Sequence, residues 1–170
     1  MSKSFVHLHA HTEYSMLDGA AKINDYLKKV KDLDQPAAAI TDHGNLYGAL
    51  EFVRQAESLD IKPIIGYEAY ITPGSRFDRP DRDKNKRYHL TLLAENNIGY
   101  QNLVELVSKA YLEGFYYKPR IDYELLRLHS KGIIALSGCL GGEVAQHLAP
   151  DGSKEEGNTA NEKSFEKALE

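Results

Sequence analysis

The stretch Ile64-Ile65-Gly66-Tyr67-Glu68-Ala69-Tyr70-Ile71-Thr72 decides how the chain reads. Isoleucine and tyrosine suit a pleated, half-buried surface, so residues 64–72 predict a β-strand. A carboxylate, Glu68, stands in the middle of it. Burying a carboxylate is unfavourable unless it is paired or bound to a metal. The plainer alternative puts Glu68 on the solvent face of an edge strand, but its apolar neighbours favour a ligand.

Working towards the N-terminus, Ala37 to Thr41 is a short apolar strand. It is followed by a helix marked by Leu46, Leu50, Val53 and Leu59, with Asn45 as the expected N-cap. Earlier still, Phe5 to His9 alternates apolar and polar residues as a strand does, and Ile23, Tyr26, Leu27 and Val30 fall at helical spacing. Towards the C-terminus, Arg76 to Arg87 is polar, charged and interrupted by Pro80, so it reads as a loop. Leu90 to Ala94 is a strand, and Tyr100, Leu103, Val104, Val107 and Tyr111 give a helix closed by Gly114. A short helix follows Asp122, Ile133 to Ser137 is a strand, and Glu143 to Leu148 is a short helix. Alternating strands and helices imply an α/β chain with a parallel sheet, either a barrel or an open doubly wound sheet.

The 170 residues fit one domain, and 42% apolar with 27% charged residues is an ordinary globular balance. A net charge of −4 argues against a module that binds nucleic acid through a basic surface alone. Bound divalent ions would still make one cleft locally positive. Cys139 is the only cysteine, so no internal disulfide is possible, in keeping with a reducing, cytoplasmic setting. No apolar leader or membrane-spanning run is present in the sequence. At the far end, Thr159 to Glu162 has the form of a capping box, and Phe165, Ala168 and Leu169 begin an apolar stripe. With no stop signal before Glu170, residues 149–170 read as a linker and the start of a truncated helix, as in a fragment of something longer.

Chemistry gathers at predicted strand ends. In His7-Leu8-His9-Ala10-His11, alternate residues of a strand share a face, so three imidazoles line up and neighbours at i and i+2 converge on a metal. Thr41-Asp42-His43-Gly44-Asn45 lies between a strand and a helix, where α/β proteins place ligands, although Asp42 also suits a helix cap. Asp18, His89 and Cys139 are weaker on spacing alone: a turn residue, a core histidine at the wrong end of its strand, and a small buried hydrophobe. Taken together, imidazole, carboxylate and thiol suit zinc, manganese or iron better than magnesium. Open metal sites activate water and clamp phosphate, which points to phosphoester hydrolysis. The basic and acidic loop Arg79 to Arg87 reads as solvated, with contact to a nucleic-acid backbone the bolder alternative. Phe115-Tyr116-Tyr117-Lys118-Pro119-Arg120 reads as a packed loop with Arg120 in an ion pair, or else as a stacking path for a single strand. His129 and His147 read as ordinary helix residues, and no Walker loop, GxGxxG or Ser-His-Asp set is evident.

FVHLHAHTEYSMLDGA (5–20), AAITDHGNLYGA (38–49), IKPIIGYEAYITPGSRF (61–77) and IALSGCLGGEV (134–144) resemble successive motifs of the PHP (polymerase and histidinol phosphatase) domain. The wording of TEYSMLDG and GYEAYI is closest to the branch found in bacterial DNA polymerase III alpha subunits. The resemblance implies a distorted (β/α)7 barrel, incomplete here because the last strands lie beyond the chain end. It also implies up to three divalent metals, zinc or manganese, with iron a further candidate. By motif, His9, His11 and Glu68 would hold one metal, Glu68, His89 and Cys139 a second, and Asp18 and His43 a third. His7 and Asp42 do not match ligand positions. A downstream Asp-x-His that completes the set in the family is not within these residues. The implied activity is a 3′–5′ proofreading exonuclease acting on a DNA 3′ end, beside the polymerase's other domains and replisome subunits. A metal-binding docking module without turnover and a free-standing phosphoesterase are the alternatives.

Overall fold

The computed structural model describes residues 5–16 and 18–148. The expected linker and helix over 149–170 lie outside the described residues. Helix α1 (Ile23–Asp32) buries Ile23, Leu27 and Val30 on one stripe. Strand β1 (Ala37–Ile40) follows, then α2 (Ala49–Ser58), whose Ala49, Phe52 and Ala56 face inward. These elements form one apolar cluster with Ile61. Strand β2 (Lys62–Ile71) leads through a long connection, containing one 3₁₀ turn at Arg82–Lys84, into β3 (Tyr88–Ala94). Helix α3 (Asn97–Leu112), β4 (Arg120–Ile121), α4 (Tyr123–Leu128), β5 (Ile133–Leu136) and α5 (Glu143–Leu148) complete the order.

The sheet has five strands in the order β1-β2-β3-β5, with β4 paired to β2, and it is not closed among the described residues. β1 and β4 run parallel to β2, whereas β3 is antiparallel to both β2 and β5. The wholly parallel sheet expected from element order is therefore corrected to a mixed one. A parallel return needs a crossover, usually a helix. The 72–87 connection offers only the 3₁₀ turn, so the chain comes back beside β2 in the opposite sense. That reversal also explains His89: the start of β3 lies at the same end of the sheet as the finish of β2, with His89 opposite Tyr70.

Three local expectations change. Phe5 to His9 is not a strand. It leans on β1 through Ala39 N–H to the His7 carbonyl (3.1 Å) and Thr41 N–H to the Ala10 carbonyl (2.9 Å). Three residue steps on this segment face two on β1, which breaks the alternation that period-2 reading assumes. Asn45 does not cap α2. Its side chain accepts from Tyr47 N–H in a turn, and Gly48 holds the cap position. Arg120 forms no ion pair among the described residues. Fully buried, it donates to the carbonyls of Gly114, Arg76 and Asp78 and to Asn85 Oδ1, so burial rather than a partner sets its pKa, which is lowered. The ion pairs belong instead to Arg76, which meets Asp122 at 3.1 Å and Glu113 at 2.7 Å.

Alternation along β2 sorts the core from the site. Tyr67, Ala69 and Ile71 pack with Tyr88, Leu92, Leu103, Leu106, Ala110, Ile121 and Leu125 under α3 and α4. Glu68 and Tyr70 point to the other face, paired across the strands with Thr91 and His89.

Candidate metal centre

Glu68 is the hub, only 1% exposed. Its Oε2 lies 2.7 Å from His9 Nε2, 2.6 Å from His11 Nε2 and 3.6 Å from His43 Nδ1. Its Oε1 lies 2.7 Å from His89 Nδ1. Asp18 Oδ2 is 2.7 Å from His43 Nε2 and 3.7 Å from His11 Nδ1. Cys139 Sγ is 3.7 Å from His89 Nδ1 and accepts from Gly141 N–H. All seven residues singled out for metal therefore converge. His7 does not: it is exposed, its ring packed edge-on against Phe5.

Several local features aim these side chains. Asp42 accepts from Thr12 N–H (2.6 Å), Thr12 Oγ1 (2.8 Å) and Ser15 Oγ (2.7 Å), pinning the turn that follows His11. Ser15 Oγ in turn accepts from His43 N–H. The turn closes tightly at Gly19, where a Cβ would sit 1.8 Å from the Thr12 carbonyl oxygen; glycine there lets Asp18 reach His43. Glu68 N–H donates to the Asp42 carbonyl and Gly44 N–H to the Glu68 carbonyl, which locks His43 beside Glu68. Gly44 makes that turn at φ +66°, a conformation that L side chains resist. Cys139 has φ +132°, a region essentially reserved for glycine, so its thiol is held toward His89 at the expense of backbone strain.

The donor set fits metal ions. His9 Nε2 and His11 Nε2 stand 3.2 Å apart while both approach the same carboxylate oxygen. His43 Nδ1 and Glu68 Oε1 are buried without a hydrogen-bond partner. The nearby His89 Nδ1 is close to that oxygen but not aligned with it as a donor. Lone pairs converging on shared points are what cations satisfy. Three triads have their ligand atoms mutually within 4.8 Å: His9, His11 and Glu68; His11, Asp18 and His43; His43, Glu68 and His89. Imidazole with carboxylate is a first-row divalent metal set, and a thiol beside it keeps the choice on the softer side.

Electrostatics agree. Burial opposes charge on Glu68, but the close approach of His11, His89, His9 and Cys139 outweighs it and holds the carboxyl far below the usual range. The bond to Glu68 raises His11 against burial, whereas burial lowers His43 despite its bond to Asp18. Burial also raises the Cys139 thiol. Metal ions bind in competition with the proton that the bond to Glu68 favours on His11.

The PHP domain family matches residues 7–170. This chain belongs to the PHP domain family. DNA polymerase III subunit alpha of Thermus aquaticus is 59% identical over 152 residues, covering 86% of this chain and 12% of that protein. The Deinococcus radiodurans subunit is 56% identical over 154 residues (86% and 12%), and that of Treponema pallidum 51% over 154 (90% and 13%). The PHP domain chain thus spans about an eighth of the length of these relatives. Among solved structures, an amidohydrolase from Chromobacterium violaceum superposes with a TM-score of 0.45 at 19% identity, over 62% of this chain and 32% of its own, too slight a likeness to carry an argument.

Within this PHP domain the geometric triads differ in detail from the grouping implied by motif. His11 joins Asp18 and His43, and His43 rather than Cys139 completes the triad with Glu68 and His89. Sequence reasoning missed Thr12, Ser15 and Thr91. Thr91 is fully buried opposite Glu68 with an unpartnered hydroxyl, and nothing in its residue type announces that. Among the described residues no helix is long and apolar enough to cross a membrane.

Proposed function

We propose that this PHP domain is a metal-dependent 3′–5′ exonuclease module of a replicative DNA polymerase, hydrolysing the terminal phosphodiester at a DNA 3′ end. We take its sheet as part of a distorted (β/α)7 barrel and its working setting as the cytoplasm, among the polymerase's other domains and replisome subunits. The observation that carries the reading is the convergence of His9, His11, Asp18, His43, Glu68, His89 and Cys139 on one face of the sheet. The curated relatives supply the polymerase context.

Zinc, manganese or iron in this cluster would supply Lewis acidity toward a phosphate and a water of lowered pKa. Glu68 would hold metal through its carboxylate, whose Oε2 meets His9 and His11 and whose Oε1 meets His89. Its depressed pKa keeps it charged at neutral pH, so it holds cations and does not shuttle protons. Asp42, with Thr12 and Ser15, fixes the distance between the His9–His11 side and the Asp18–His43 side. That rigidity preorganises the donors before substrate arrives.

A second reading rests on the spread of the donors. They come from the 9–11 segment, the 18–19 turn, the end of β1, β2, β3 and the loop after β5. Ions bound there would staple those segments together and stabilise the fold without turnover. Release of mononucleotides from a 3′-labelled single strand, with added manganese or zinc, separates the two. The test compares this chain and a longer polymerase carrying it with their Glu68→Ala variants. Metal-dependent release lost in the variants supports the exonuclease. A thermal shift with metal and no release by the longer protein supports the staple.

A further inference from the structure

Beside the metal cluster, a cleft of about 250 Å³ is lined by Asp18 and His43 together with Tyr47, Tyr111 and Lys118. That is slightly below the roughly 300–1,000 Å³ of ordinary ligand pockets. Two of the lining residues, Tyr47 and Tyr111, belong to a row of rings that runs on to Phe115. Tyr47 and Tyr111 have centroids 6.5 Å apart, and Tyr111 stacks on Phe115 at 6.0 Å with an interplanar angle of 30°. Tyr47 is 64% exposed, Phe115 51% and Tyr111 37%, so all three residues reach solvent. They come from the loop before α2, the last turn of α3 and the residues after it.

Lys118 supplies the charge. Its ammonium lies 5.5 Å from the centroid of Tyr70, and Tyr70 stacks on His43 at 5.9 Å. The chain reaches it through Tyr117 at φ +61°, which for a bulky residue is strained. That turn, closed by Tyr116 N–H to the Lys118 carbonyl at 3.1 Å, carries Lys118 to the cleft wall.

We infer that the Tyr47–Tyr111–Phe115 row is a stacking path for the last bases of a single DNA strand, with Lys118 on a backbone phosphate and the 3′ terminus delivered to the Asp18–His43 side of the metal cluster. Aromatic faces with a cation beside them bind single strands without sequence preference, because every base has a π-face. This rests on the reading of the metal centre as acting on DNA. It adds a substrate form: an unpaired 3′ end, since bases within a duplex are not free to stack on the rings.

The test uses oligothymidylate carrying 2-aminopurine at its 3′ end, or at its 5′ end as a control, with the full chain. Stacking quenches the 3′ probe and leaves the 5′ probe bright. Tyr111→Ala and Phe115→Ala each weaken binding about 5- to 160-fold, the range for one base–aromatic stack, while Tyr111→Phe retains it. Lys118→Gln weakens binding and lowers the slope of log affinity against log salt by about 0.7. Thermal unfolding of each variant checks that it is folded. Equal quenching at both ends, or no quenching at the highest soluble protein concentration, overturns the path, as does an undiminished quench in the folded alanine variants. Hydrolysis of bis(p-nitrophenyl) phosphate by the unmodified chain reports the metal centre separately. Hydrolysis without 3′ quenching sinks the path alone; quenching with no hydrolysis by this chain or by the longer polymerase carrying it leaves the path standing and sinks the exonuclease.

Discussion

The two faces of β2 and β3 differ more than any other two regions of this molecule. On one face Tyr67, Ala69, Ile71 and Leu92 pack against α3 and α4, apolar and without charge. On the other, Glu68 and His89 meet three further imidazoles. The first face supplies hydrophobic stabilisation. The second concentrates a buried carboxylate and unpartnered polar atoms that a fold would not choose for stability. A strand with alternating faces lets the same backbone carry both, because the rigid core fixes the donors a few ångströms away.

If the faces divide the work in this way, the largest effect on stability comes from the helix side. Leu92→Ala or Leu103→Ala should lower the free energy of unfolding by about 2–5 kcal/mol. Urea denaturation measures this, and the folded fraction should still bind metal. Arg120→Met should come next. It strands the carbonyls of Gly114, Arg76 and Asp78, and an unmade buried hydrogen bond costs about 1–3 kcal/mol. A neutral result would mean that those carbonyls find water.

Gly44→Ala tests the site face through its backbone. It should destabilise by about 1–2 kcal/mol from the left-handed φ alone, and its Cβ would press on the Tyr70 ring at 3.1 Å. Unlike the core variants it should weaken metal binding more than its stability loss explains, because it moves His43.

The smallest and most selective effect is pH dependence of the metal-free protein. Glu68 has a folded pKa below its unfolded value, so the stabilisation it contributes is complete above the unfolded pKa of about 4.3. It erodes as the pH falls below that and is gone only past the folded value. Glu68→Gln should therefore narrow its stability gap from the parent as the pH drops from 5 toward 3. A constant gap would contradict a charged Glu68 in the folded state.

How much of this was legible in the sequence varies with the physics behind each feature. Helix α5 is read at its bounds, and α1 and α3 begin or end close to their apolar stripes, because 3.6-residue periodicity is local. Strand direction is not local. Nothing in Tyr88 to Ala94 says that β3 runs against β2; the lack of a crossover helix over 72–87 was the available signal. Phe5 to His9 alternates correctly yet leaves the ladder, because register depends on its partner β1. At the site, Glu68 and the 9–11 histidines stood out as charge in an apolar strand and as repeated imidazole. Asp18, His89 and Cys139 were plain by spacing and came only with the family's motifs. Thr12, Ser15 and Thr91 were invisible, since a hydroxyl gains its role only from what folding places beside it.

The central claim is that the site face is a preassembled metal centre, and elemental analysis of the purified chain beside His9→Ala and Glu68→Ala tests it most directly. Zinc, manganese or iron in stoichiometric amount in the parent, and lost in folded variants, is the predicted result. A folded parent that stays free of these metals after incubation with them would contradict it.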